Sequence, residues 1–263
     1  MSLLKRCACC ATLIGLATAN ALGATWDSAV INTRIWNDDP GSTLTTVNTY
    51  PTLVRISDTP SGVAGFANLH NFHLADAGVE HSFANGEAFS FSADMTISGA
   101  GSGEAGLQLS PWWSKNADGR FNFRTTDGEI AVFGGRLPFY SFTASQGLTY
   151  TKGTTVHVGL VYNPNSLSSS DPATIIYNLT MGANFYTSGA LPFDEGNPAE
   201  GYGSWGHLND ARVGGYVQVF TAQSGAGNNL TAEWANISIV PEPSALALLG
   251  LGILPLVFRR RRN

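Results

Sequence analysis

Side chains able to do chemistry are thinly spread in this chain. His70 and His73 lie three apart, with Asp76, Glu80 and His81 following, and histidines with carboxylates can ligate a transition metal. Gly78 and the irregular pattern around it favour a polar loop instead. Asn37, Asp38 and Asp39 stand beside Pro40 and Gly41 and offer the hard oxygens that calcium takes. No full twelve-residue calcium loop surrounds them, so turn capping is the ordinary reading; a structural calcium is the one cofactor for which they leave room. Glycoside hydrolysis uses two carboxylates about 5 to 10 Å apart. Asp127 and Glu129 have the i,i+2 spacing for this, but Gly128 between them makes a hairpin turn, where acids are solvated. There is no Gly-x-Ser-x-Gly elbow and no phosphate-binding loop. No catalytic residue and no metal set is assigned on these grounds.

The aromatic residues offer a better binding signal. Trp112 and Trp113, between Pro111 and Ser114-Lys115, sit beside an expected strand end. Adjacent strand positions point to opposite faces, so at most one of them enters a core. Tyr202 and Trp205 lie among Gly201, Gly203 and Gly206. Exposed aromatic faces are flat and apolar and stack on sugar rings. The four are therefore candidates for glycan binding; the competing reading is that loop aromatics plug the end of a sandwich.

The two ends of the chain carry addresses. Lys5 and Arg6 precede an uncharged, mostly small or apolar stretch from Cys7 to Leu22, and Ala19-Asn20-Ala21 and Ala21-Leu22-Gly23 fit small-x-small cleavage. Residues 1–23 are expected to be a secretory signal peptide. At the other end, Pro241-Glu242-Pro243 leads into fifteen uncharged residues, 244–258, and then Arg259, Arg260, Arg261 and Arg262. As a helix that run is about 22 Å long, short against a bilayer core of roughly 30 Å. The arginines should remain cytoplasmic. All three cysteines, Cys7, Cys9 and Cys10, fall in the signal peptide, so the exported body must rely on its core rather than on disulfides. Six of the fourteen basic residues lie in the two end signals and one of nineteen acids, Glu242, lies outside the body. The body's net charge is thus about −10, which argues against nucleic acid and anionic lipid as partners and is compatible with divalent cations or neutral glycans.

Val240-Pro241-Glu242-Pro243-Ser244, the Leu/Gly/Ala-rich run and the terminal arginines resemble the PEP-CTERM sorting signal. The resemblance covers residues 240–263. It implies an exosortase-type processing enzyme as partner, with the tripeptide and the arginines as the sorting residues. It further implies transient contact with the inner membrane through a helix at 244–258, and release to the surface of a Gram-negative maker of extracellular polysaccharide.

The body, residues 24–239, must position whatever the chain binds. Phe89, Phe91, Ala93, Met95 and Ile97 alternate with Ser90, Ser92, Asp94 and Thr96. Val156 to Tyr162, Ile175 to Met181, and Phe121 with Phe123 repeat the pattern. Such alternation predicts strands with one buried face. Further strands are expected at 29–36, 52–57, 104–109, 129–134, 137–143, 211–221 and 229–239, the last with a phase slip near Ala235 that predicts a bulge. Asp118-Gly119 and Asp127-Gly128 are hairpin-like turns, and Asn163 to Pro172 is a surface loop. The expected fold is an all-β, antiparallel two-sheet sandwich, one domain, between signal peptide and hydrophobic tail helix. From about 85 to 240 the strand order resembles concanavalin A-like, laminin-G-like jelly rolls. That resemblance implies two sheets, often a concave face that binds glycans, and sometimes a calcium ion. Glucanases of this fold class show a Glu-x-Asp-x-x-Glu run, absent here. The reading favoured is an exported surface or matrix protein for adhesion, glycan association or structure; the alternative is a hydrolase acting on extracellular polysaccharide.

Overall fold

Alternation with period two becomes pleated strand along most of the body. The structure, a computed structural model, describes residues 26–111, 118–194, 205–207 and 209–241. In chain order the strands are β1 (Ser28–Trp36), β2 (Thr43–Thr49), β3 (Leu53–Thr59), β4 (Leu69–Asp76), β5 (Val79–Glu80), β6 (Phe89–Ser98), β7 (Gly103–Ser110) and β8 (Arg120–Arg124). They continue as β9 (Ile130–Phe133), β10 (Tyr140–Ser141), β11 (Thr155–Asn163), β12 (Thr174–Met181), β13 (Asn184–Pro192), β14 (Arg212–Val219) and β15 (Leu230–Pro241). One sheet runs β1-β4-β14-β7-β8-β9-β10, with β5 paired to β4; the other runs β13-β12-β11-β6-β15-β3-β2. Every pairing is antiparallel. The body is an all-β two-sheet antiparallel sandwich.

The strand phases read from the sequence put the expected residues inside. Phe89, Phe91, Ala93, Met95 and Ile97 are all buried, as are Val156, Val158, Leu160, Tyr162, Tyr177 and Leu179. Each large side chain so buried contributes about 1.5–3 kcal/mol. The sheets close on each other through rings: Phe72 meets Trp234 edge-on at 5.1 Å, and Phe121 meets Tyr177 at 5.8 Å. The bulge falls where the phase slip predicts it, between Ala235 and Ser238, with Asn236 at φ 51°. Gly128 takes φ 77°, and its N–H donates to the Arg124 carbonyl to close the β8–β9 turn.

Three expectations need correction. The strand expected at 137–143 is only Tyr140–Ser141, because Ser141 Oγ accepts the Ala144 N–H and starts a helix, α1 (Phe142–Gln146), that Gly147 ends at φ 69°. The strand expected at 211–221 stops at Val219, before a short helix, α2 (Thr221–Ser224). The stretch read as a polar loop around His70 to His81 is β4 and β5. β4 is buried on both faces, so no apolar–polar alternation marks it. The edge strands β2 and β13 also escaped the sequence reading; both are largely exposed and carry little apolar pattern. Among the described residues no helix is long and apolar enough to cross a membrane. The helix expected at 244–258 lies outside the described residues.

Candidate functional site

In the first sheet, the strand faces turned from the core are polar and yet buried. Ala105, Leu107 and Leu109 of β7 enter the core, which turns Glu104, Gly106, Gln108 and Ser110 outward. Phe121 and Phe123 of β8 enter the core and leave Arg120 and Asn122 outside; Val213 and Val217 of β14 leave Tyr216 and Gln218; Phe72 and Leu74 of β4 leave Asn71 and His73. Register aligns these positions in rows. His73 faces Gly214, which faces Gln108, which faces Arg120. Asn71 faces Tyr216, which faces Gly106, which faces Asn122. Asn71, His73, Gln108, Asn122 and Tyr216 have 0% exposure.

Hydrogen bonds knit the face. Asn71 Nδ2 donates to Gln108 Oε1 at 2.9 Å and lies 3.1 Å from His73 Nε2. If the amide donates there, the ring proton sits on Nδ1, which is 3.0 Å from Glu80 Oε1. Asn32 Nδ2 donates to the same oxygen at 2.6 Å. The Tyr216 hydroxyl donates to Asn122 Oδ1 at 2.9 Å, reaching across Gly106 in its row. Gly106 keeps that path open: a Cβ there would strike the Phe121 carbonyl. Arg120 sits over the Tyr216 ring at 4.8 Å and donates to Glu104 at 2.7 Å and Gln218 at 2.5 Å. Burial holds the Tyr216 phenol well above its usual range, so it keeps its proton as a donor. Burial also pushes the Glu104 carboxyl up, against the pull of Arg120. Asn122 Nδ2 and Ser110 Oγ are buried on this face with no partner among the described residues.

Glu80 is held differently. The hydrogen bond with His73 is the main cause that brings its carboxyl down to about 2, with Asn32 and Arg212 adding and partial burial opposing. The unfolded group titrates near 4.5. Its contacts therefore stabilise the fold fully above that pH and are lost as the pH falls through about 2. Glu80→Gln is expected to flatten the stability curve between about pH 4.5 and pH 2. Urea midpoints taken across that range measure it, and the same slope in both proteins would show that the fold does not hold this charge.

Among the described residues, Glu80 and Glu104 on this face are too far apart for a hydrolase pair. Glu104 faces Gln218, Gln218 faces Leu69, and Glu80 faces Ala75. The stretch of β4 from Leu69 to Ala75 spans about 20 Å, against the 5 to 10 Å such chemistry uses. Asp127 and Glu129 both pair with Arg124, at 2.6 and 2.9 Å, at the β8–β9 turn.

The metal candidates do not converge. His70 turns inward, where its Nδ1 accepts the Arg34 N–H at 2.8 Å and its Nε2 lies 3.2 Å from Asp58 Oδ2 on β3. His73 turns outward, and His81 packs against Trp26 and Phe83. Asp76 ends β4. Among the described residues no group of three His, Cys, Asp or Glu could hold a metal. Arg34 grips both Asp38 oxygens at 2.7 and 3.0 Å, Asp39 accepts the Gly41 and Ser61 N–H groups, and Asn37 donates to the Gly65 carbonyl. These are turn caps, with the oxygens engaged.

Of the aromatic candidates, Trp112, Trp113 and Tyr202 lie outside the described residues. Trp112 and Trp113 follow Pro111 directly after β7, the strand that carries Gln108. Trp205 is half-buried, and its carbonyl accepts the Ala173 N–H at 2.7 Å. Next to it His207 is buried against Tyr162 at 4.3 Å. Trp205 and His207 thus pack beside Ala173 and Tyr162. Of the sorting residues, Pro241 ends β15; Glu242, Pro243 and Arg259 to Arg262 lie outside the described residues.

The polar face went unread in the sequence because outward strand positions pass for solvated ones. One local signal was present. The outward positions of β4, β7, β8 and β14 carry Asn, His, Gln, Arg and Tyr with glycines between them, where β6 carries only Ser, Thr and Asp.

Residues 240–262 match the PEP-CTERM protein-sorting motif. A chain with this signal is exported, anchored transiently in the membrane and processed by an exosortase-type enzyme. No curated protein matches the chain. Among solved structures it resembles alginate lyase A1-II', of polysaccharide lyase family-7, at 7% identity and a TM-score of 0.45, covering 82% of this chain and 96% of that one. It resembles the PL7 alginate lyase AlyA1 from Zobellia galactanivorans at 12% identity and 0.41, covering 83% and 96%. The Lotus tetragonolobus seed lectin stands at 11% and 0.40, covering 82% and 99%. These neighbours are jelly-roll proteins of the concanavalin A-like kind; likeness at this level bears on the fold alone.

Proposed function

We propose that this chain is a sorted surface protein of a Gram-negative bacterium, and that its sandwich binds an extracellular polysaccharide along the outer polar face of the first sheet. The observation that carries the reading is that face itself: buried amide, imidazole and phenol groups from four adjacent strands with the partly exposed Arg120 guanidinium among them, aligned by register. Burying polar groups is costly unless they are paired, and the second sheet does without any such layer, its β6 row of Ser90, Ser92, Asp94 and Thr96 being half-exposed. A cost borne on one face only is the mark of a functional surface. Amides and phenols offer donors and acceptors together, as sugar hydroxyls require. Arg120 pairs with Glu104, Arg212 with Glu80, and Arg124 with Asp127 and Glu129. With its arginines neutralised and a body charge near −10, the face suits a neutral glycan. Trp112 and Trp113, next in sequence after β7, are candidates to stack on the same chain; Tyr202 and Trp205 are further candidates.

Titration calorimetry of the exported protein with the host's own polysaccharide tests this. Arg120→Ala, at the partly exposed position of the face, is expected to weaken binding about tenfold, or about 1.4 kcal/mol, with folding checked by thermal melts. Trp112→Ala and Trp113→Ala report the stacking contribution. Absence of binding by the wild type would end the proposal. A fall in polymer length during incubation would move the reading from a binder to an enzyme.

A further inference from the structure

The sorting motif begins inside the folded sheet. Val240 faces Ser90 and Pro241 faces Phe89, both in ladder with β6. The apolar run starts at Ser244, so only Glu242 and Pro243 separate the sandwich from it, a reach of about 7 Å. A membrane-embedded processing enzyme must enclose the backbone around the Pro-Glu-Pro, and a paired strand is closed to that.

The end of β15 is built differently from the rest of it. From Leu230 to Ala235 the strand is held on both sides, by β3 and by β6. At the bulge the Asn236 and Ile237 N–H groups donate to the Thr52 and Pro51 carbonyls, and Asn236 Nδ2 donates to Asp94 at 2.7 Å. Ile237 is the last buried apolar residue. Beyond it Ser238 to Pro241 pair with β6 alone, and Val240 is 50% exposed. Pro241 has no N–H to give the ladder. The strand is thus firmly anchored up to Ile237 and lightly held after it.

We infer that Ser238 to Pro241 are a releasable leash: they peel from β6, with Ile237 as the stop, to deliver the sorting motif to the processing enzyme. Peeling lengthens the free segment to six residues, 238–243, or about 20 Å. Only Ile239, half-buried against the core opposite Phe91, gives up packing when the segment peels. The inference rests on the matched sorting motif and is independent of any glycan.

A disulfide lock tests it. The mature chain has no cysteine, so Ser90→Cys with Val240→Cys can pair only with each other in an oxidising compartment; Ser92→Cys with Ser238→Cys makes the same lock at the next facing position. In the native host, locked protein is expected to accumulate as uncleaved, membrane-bound precursor, and reductant should release it to processing. A Gly/Ser spacer of about eight residues, roughly 15 Å of mean reach, inserted between Val240 and Pro241, should restore processing with the lock still closed. Mature protein at the wild-type rate from either locked pair overturns the inference. So does a spacer variant as blocked as the lock alone, since the block would then not arise from reach.

Discussion

Replacing Trp234 with alanine is expected to cost about 3–5 kcal/mol of folding stability. The indole is without solvent exposure at the centre of the sandwich. It meets Phe72 of the opposite sheet and donates from Nε1 to the Gly106 carbonyl at 3.1 Å. Truncation leaves a cavity spanning both sheets and an acceptor short of a partner. Against a total stability of about 5–15 kcal/mol, that loss brings the body near unfolding. Gly215 supplies an internal control. A Cβ at Gly215 would press on Trp234 and Phe72, so Gly215→Ala should destabilise the wild type and cost less beside Trp234→Ala, a coupling of about 0.5–3 kcal/mol. Urea midpoints at constant slope read both. An unchanged midpoint for Trp234→Ala would mean that the sheets do not close on this ring.

The second large effect concerns the tail. Native surface protein is expected to lack Arg259 to Arg262, with its new end between Pro241 and Ser244, and to start near Ala24. The apolar run is too short to be a good permanent anchor, and it lies within the matched sorting motif. Loss of the tail should leave stability unchanged, because the last buried apolar residue of β15 is Ile237. Intact-mass spectrometry of exported material, with a melt of the same sample, checks both. Arginines still attached in fully exported protein would refute the processing expectation. A lowered melt after trimming would show that the strand end bears more of the fold than its exposure implies.

Local sequence carries information about local geometry. The alternation from Phe89 to Ile97, the slip near Ala235 and the turn at Asp127-Gly128 were legible because a strand turns its side chains by period two and a turn needs a residue tolerant of positive φ. β4 was illegible for the same reason: Asn71 and His73 look solvated when read alone, and only their place between β1 and β14, with Gln108 and Glu80 in contact, makes them buried. β2 and β13 lack the apolar face that would announce a strand, being edges with little to bury.

The sorting motif was written in order along the chain, since sorting machinery reads contiguous residues: Pro241-Glu242-Pro243 with its apolar run and arginines. The strand faces followed from residue type and spacing. The candidate site did not, because its members come from positions 71 to 216 and meet only through antiparallel register across β4, β14, β7 and β8. Register is decided by which faces can be buried together, a property of the whole sandwich. The same tertiary pairing, and nothing in the tail's own sequence, put Pro241 in ladder with β6, at the edge of what the enzyme must grasp.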